Sequence, residues 1–199
     1  KKCPNKNSTA GWSKRKFAPW WHIPIQYLPK QLPNPYANQD IFVVVRNPYK
    51  RAVSEYYYYC HLHGCFKHKE DSPSNMNSFI KNALQRFRQA PKGDGDYFVY
   101  EAHWIPQYHY LYDEVNNRTI VRHIIHFEHL EEEFSSLMEA YNLHNDVNLN
   151  STNKAKDSST KKQNCTVEDL TPATRILIEE VYAKDFELGS YLILSRKYD

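Results

Sequence analysis

The sequence predicts an α/β fold, with a mostly parallel central sheet flanked by helices and a single domain over residues 1–199. Three observations carry this. Ile41-Phe42-Val43-Val44-Val45 is a continuous β-branched and aromatic run, the composition of a strand buried on both faces. Strand-like segments alternate with segments whose apolar residues recur at helical spacing, which argues for parallel pairing. The length of 199 residues suits one domain with a substantial core.

Taken in order, residues 1–19 are basic and polar, with Ser13-Lys14-Arg15-Lys16, and read as an irregular lead-in to Trp20-Trp21-His22-Ile23-Pro24. Pro29, Pro33 and Pro35 mark a loop. The strand at residues 41–45 stops at Arg46-Asn47-Pro48, where Asn47 suits an N-cap and Pro48 a first helical position. A helix is expected from Pro48 to about Tyr59. On it Asn47, Arg51 and Ser54 fall within about 60° of one another. Tyr49, Ala52, Val53, Tyr56 and Cys60 fall on the opposite side. Residues 61–78 read as a loop, Asn77–Arg88 as a short helix and Ala90–Asp96 as a turn. Thr119–Phe127 is a second strand, and Leu130–Tyr141 an amphipathic helix. Residues 144–166, rich in Asn, Ser, Thr and Lys, are expected to be a mobile insertion. Thr171 caps a last helix from Pro172 to about Ala183.

Composition narrows the chemistry. The formal net charge of +3 is too small to argue for nucleic acid, and interleaved base-stacking motifs are absent. No apolar run approaches the roughly 18 residues that span a bilayer. There are five glycines where average usage gives roughly fourteen, which disfavours a glycine-rich phosphate loop within the chain. Sequons at Asn7, Asn117, Asn150 and Asn164 lean towards a secretory lumen. Cys3, Cys60, Cys65 and Cys165 permit two disulfides; Cys60–Cys65 is the local pair, with free thiols as the alternative. Cys60, His61, His63, Cys65 and His68 sit close together, but their spacing matches no common zinc finger and no metal is expected. Glu128 and Glu131–Glu133 supply negative charge to the first turn of a helix.

The corner at residues 46–54 carries chemistry. A strand ends on Arg46, a helix starts at once, and Ser54 shares its polar face two turns on. A helix N-terminus offers free N–H groups and a positive dipole end, and an arginine fork grips two oxygens of an anion. This geometry suits a phosphate.

Residues 41–56, an apolar strand followed by Arg46-Asn47-Pro48, Arg51, Ser54 and Tyr56, resemble a segment of sulfotransferases that use 3′-phosphoadenosine 5′-phosphosulfate (PAPS). In that family this segment binds the 3′-phosphate of the cofactor. The resemblance assigns that role to Arg46 and Ser54, and gives Arg51 either cofactor binding or support of the helix. His103-Trp104-Ile105-Pro106-Gln107, Phe127-Glu128-His129-Leu130-Glu131-Glu132 and Tyr182-Ala183-Lys184-Asp185-Phe186 are similar to elements of its Golgi carbohydrate (chondroitin/uronyl) branch. Together the four cover roughly residues 20–195 in family order.

The resemblance implies a P-loop-like three-layer fold, a carbohydrate acceptor and residence in the Golgi lumen, with membrane attachment only through an anchor outside this chain. The loop that holds the 5′-phosphosulfate, Pro-Lys-x-Gly-Thr in pattern, has no match in residues 1–40 and is expected ahead of Lys1. Pro91-Lys92-Gly93-Asp94-Gly95 lies after the Arg/Ser segment, carries two acids and reads as a turn.

Sulfuryl transfer to a sugar needs in-line placement, charge stabilisation and a base for the hydroxyl. A histidine near its free pKa suits that last task. His22 is the first candidate, because its interval from the Arg46 strand is similar to that of the base in uronyl 2-O-sulfotransferases; His103 is the second. For an acidic polysaccharide acceptor, Lys14, Arg15, Lys16, Lys81, Arg86 and Arg88 are the basic residues available. Two other readings stay open: a non-catalytic nucleotide- or glycan-binding module, and another P-loop transferase or kinase.

Overall fold

A computed structural model describes residues 22–27, 36, 38–67, 70–90, 102–114, 116–149 and 163–195. The elements are β1 (Phe42–Val45), α1 (Pro48–His63), α2 (Pro73–Gln89), α3 (Tyr108–Leu111), β2 (Tyr112–Asp113), β3 (Arg118–Thr119), β4 (His123–His126), α4 (Leu130–Ala140), α5 (Pro172–Val181) and α6 (Ala183–Leu188). Strands β1 and β4 pair in parallel with Val45 opposite His126, and β2 pairs with β3 antiparallel.

The chain is mixed α/β, as expected, but among the described residues the parallel sheet has two strands. The apolar run at β1 is also not buried on both faces. Phe42 and Val44 are 43% and 39% exposed, whereas Val45 on the other face is 4% exposed. Helix α4 lies over β4, where Ile125 packs on Leu137 and Met138, and reaches β1 through the Phe42–Phe134 ring contact. The main core is helical: Tyr49, Ala52, Val53, Tyr56 and Cys60 of α1 meet α2, α5, α6 and the 102–105 segment.

Local chemistry explains the element limits. Asn47 caps α1, its side chain accepting from the N–H groups of Tyr49 and Lys50, with Pro48 in the first turn. The helix runs past Tyr59 to His63 and ends where Gly64 takes φ 67°, a left-handed C-cap suited to glycine. Ser72 caps α2 and Pro73 opens it, four residues ahead of the expected start at Asn77. The expected strand at 119–127 divides in two. Residues 118–119 turn back on 112–113 as a hairpin, and only residues 123–126 join β1. The last helix breaks at Tyr182, whose φ −111° and ψ 26° separate α5 from α6.

One local expectation is corrected. Cys60 and Cys65 do not form the local disulfide. Cys60 points into the helical core, while Cys65 lies beyond the Gly64 cap in a separate 3₁₀ turn. At the end of the 144–166 stretch, Cys165 is 1% exposed, and its N–H donates to the Tyr57 hydroxyl at 2.8 Å. Residues 1–19, Trp20, Trp21 and residues 91–96 of the turn at 90–96 lie outside the described residues. Asn47→Ala should cost about 1 kcal/mol, lowering Tm by about 2–4 °C in a thermal melt, because it removes both cap bonds.

Candidate functional site

Strands β1 and β4 run parallel and end at one edge, so the residues just past their tips are brought together. Arg46 follows β1 and Phe127-Glu128 follows β4. Gln107 locks the Arg46 backbone, its Oε1 accepting from the Arg46 N–H at 2.8 Å and its Nε2 donating to the Arg46 carbonyl at 2.9 Å. The guanidinium carbon stands 4.6 Å from the Phe127 ring centre, a cation–π contact that orients the fork. Its Nε is buried and has no hydrogen-bond partner among the described residues. Burial draws this guanidinium below its ordinary pKa, while the charges of Glu128 and Glu55 act in the opposite sense.

Arg46, Lys50 and Ser54 form one wall of a cleft of about 870 Å³. His126, Glu128, His129 and Glu133 form the facing side, and the 163–168 and 189–194 segments close it. The acids in this lining are engaged. Glu128 accepts from the Asn47 N–H at 3.0 Å and from the Tyr191 hydroxyl at 3.1 Å. Glu133 accepts from the His126 N–H at 2.6 Å and ring Nδ1 at 3.1 Å, and the backbone bond holds its carboxyl below the usual range. Glu168 accepts from the Thr166 hydroxyl.

The α1 N-terminus differs from the expectation of free N–H groups. Glu128 takes the N–H of Asn47, the Asn47 side chain takes those of Tyr49 and Lys50, and Pro48 has none. Anion-binding capacity therefore lies in side chains. Among the described residues the Arg46 fork, the Lys50 ammonium and the Ser54 hydroxyl have no hydrogen-bonding side-chain or backbone partner. This donor set suits a phosphate.

Arg51 goes elsewhere. Its Nη2 donates to the carbonyls of His103 at 2.6 Å and Ile105 at 2.8 Å, and its Nη1 lies 3.9 Å from Asp185 Oδ2. Asp185, with its side chain fully buried, also accepts from the N–H groups of Gln107 and Tyr108. Burial raises its carboxyl pKa, against the pull of Arg51. Of the two roles the resemblance left to Arg51, the geometry matches support: it ties α1 to the 103–108 segment and α6.

The two histidine candidates meet. Their rings are edge-on with centres 5.0 Å apart. The His22 carbonyl accepts from the Tyr110 hydroxyl at 2.5 Å. His103 Nδ1 lies 2.7 Å from Glu55 Oε2, and the Tyr58 ring stacks on His103 at 4.9 Å. Neither histidine lines the Arg46 cleft. They stand on the neighbouring strip of α1, since Glu55 directly follows Ser54.

Sequence reasoning missed Glu55, and also His126, Gln107, Glu128 and Asp185 as positioning groups. Glu55 carried a local signal, lying four residues after Arg51 and three before Tyr58 on one helix face. Lys81, Arg86 and Arg88 lie on α2 away from the cleft, and Arg88 pairs with Glu180 at 2.8 Å. Lys14, Arg15 and Lys16 lie outside the described residues. Among the described residues no group of three or more metal-type ligands converges. No described helix is long and apolar enough to cross a membrane.

A sequence model of the sulfotransferase family matches residues 6–191. No curated protein and no solved structure gives a significant match.

Proposed function

The chain belongs to the sulfotransferase family, and on that premise we propose that it transfers a sulfuryl group from PAPS to a hydroxyl of a carbohydrate acceptor. The observation that carries the cofactor assignment is the Arg46 guanidinium: a charge held at the strand tip, with a buried Nε that has no partner among the described residues, beside a cleft whose acids are already engaged. A 3′-phosphate fits that donor set, with Arg46 gripping two oxygens and Ser54 and Lys50 adding donors. When bound, PAPS would supply an activated sulfuryl group for transfer to the acceptor oxygen. The chain's own part is to anchor the nucleotide, orient the acceptor and remove its proton.

His103 and His22 are the groups for that proton. The Glu55 contact favours His103 as the base, with His22 beside it as the group that holds or relays the proton. A Golgi lumen setting agrees with the exposed sequon residues Asn117 and Asn164. The reading implies a three-layer fold, and the part-exposed β1 face at Phe42 and Val44 leaves room for further cover by another layer.

His103→Ala should lose most turnover, by roughly 10²–10⁴-fold, while binding adenosine 3′,5′-bisphosphate as before. His22→Ala should lose less. Labelled sulfate transfer read alongside calorimetry checks both, and wild-type turnover in His103→Ala would remove it as the base. One observation favours a second reading as a non-catalytic nucleotide- or glycan-binding module: neither His22 nor His103 lines the Arg46 cleft. Nucleotide binding without transfer to any glycan is its signature.

A further inference from the structure

We infer that Glu55 is a positioning residue that fixes the His103 tautomer and readies Nε2 to take the acceptor proton; this rests on the reading of His103 as the base. A carboxylate can only accept, so its 2.7 Å contact with Nδ1 requires the proton on Nδ1. In the neutral ring Nε2 is then the lone-pair nitrogen. Among the described residues the only hydrogen bond of the His103 ring is the one to Glu55. The side chains of His103 and Glu55 are each 20% exposed, so the pair is sheltered yet reachable by a ligand.

Three further contacts keep the ring in place. Tyr58, one turn beyond Glu55, stacks on one face at 4.9 Å. His22 meets the ring edge-on at 5.0 Å. Arg51, one turn before Glu55, holds the His103 carbonyl at 2.6 Å, fixing the backbone that carries the ring. The charges near the pair are Glu55 itself, the Arg51 guanidinium held by Asp185, and Arg46, whose field is coupled to Glu55. When Nε2 takes a hydroxyl proton, the resulting imidazolium faces a carboxylate already in contact, so the charge forms where it is stabilised. The same helix thus carries Ser54 for the nucleotide and Glu55 for the base on adjacent residues, coupling the two halves of the site through one rigid element.

The test compares Glu55→Ala and Glu55→Gln with the intact protein. Nitrogen-15 NMR of the His103 ring, assigned with His103→Ala, reads the tautomer without any acceptor. The expected result is Nδ1–H in the intact protein and in Glu55→Gln, whose amide oxygen still accepts. Glu55→Ala should revert to Nε2–H, the form preferred by free imidazole. Sulfate transfer should fall by roughly 10²-fold or more in Glu55→Ala and less in Glu55→Gln, with unchanged affinity for adenosine 3′,5′-bisphosphate in both. An Nδ1–H tautomer that persists in Glu55→Ala would overturn the inference, as would full turnover in that variant where His103→Ala is inactive. Full turnover in His103→Ala would instead overturn the assignment of the base on which the inference rests, whatever the tautomer.

Discussion

Arg46→Ala should weaken binding of adenosine 3′,5′-bisphosphate by roughly 10–100-fold, the worth of charge-assisted hydrogen bonds to one phosphate. Thermal stability should change little, because among the described residues the Arg46 guanidinium makes no ion pair and its ring contact is with Phe127. The loss should be specific. Adenosine 5′-phosphosulfate, which lacks the 3′-phosphate, should bind the variant and the intact protein alike. Arg46→Lys should recover part of the affinity, since it restores charge without the fork. Ser54→Ala should cost less, as one neutral hydroxyl donor. Calorimetry measures all four, and an equal loss for both nucleotides would show that Arg46 does not read the 3′-phosphate.

Arg51→Ala should have the opposite signature, a large loss of stability. It leaves Asp185 buried without its cation, and it releases the carbonyls of His103 and Ile105. Breaking a buried pair from one side costs about 3–5 kcal/mol, a large share of the 5–15 kcal/mol that holds a domain together. Arg51→Lys should not rescue it, because an ammonium cannot reproduce the fork that reaches two carbonyls at 2.6 and 2.8 Å. Equilibrium denaturation in urea gives the number. A variant that keeps its midpoint but loses nucleotide affinity would instead make Arg51 a cofactor ligand.

These two arginines show where sequence reasoning reaches and where it stops. Both lie in one motif, five residues apart. The Arg46 position at a strand tip followed by Asn47-Pro48 is a local matter, and β1, the Asn47 cap and the start of α1 follow from it. The direction Arg51 takes depends on carbonyls more than fifty positions away and on Asp185, further still, and neighbouring residues carry no trace of that. The same holds for Glu128, which occupies the N–H of Asn47 from 81 positions away and removes the helix terminus as an anion cradle.

Other differences had local signals. Gly64 marks the true end of α1, and Ser72-Pro73 the true start of α2. The 119–127 stretch reads as one strand by composition, yet its start is claimed by the 112–119 hairpin, a pairing set by tertiary contact. The meeting of His22 with His103 joins residues 81 positions apart, so the sequence offered two separate candidates where the fold makes one cluster.

The most direct test of sulfuryl transfer is incubation of the protein with radiosulfur-labelled PAPS and a panel of desulfated and acidic glycans, with Arg46→Ala and His103→Ala alongside. The account predicts label on a glycan, release of adenosine 3′,5′-bisphosphate in equal amount, and loss of both in each variant. Nucleotide bound by the intact protein with no label passing to any glycan would contradict it.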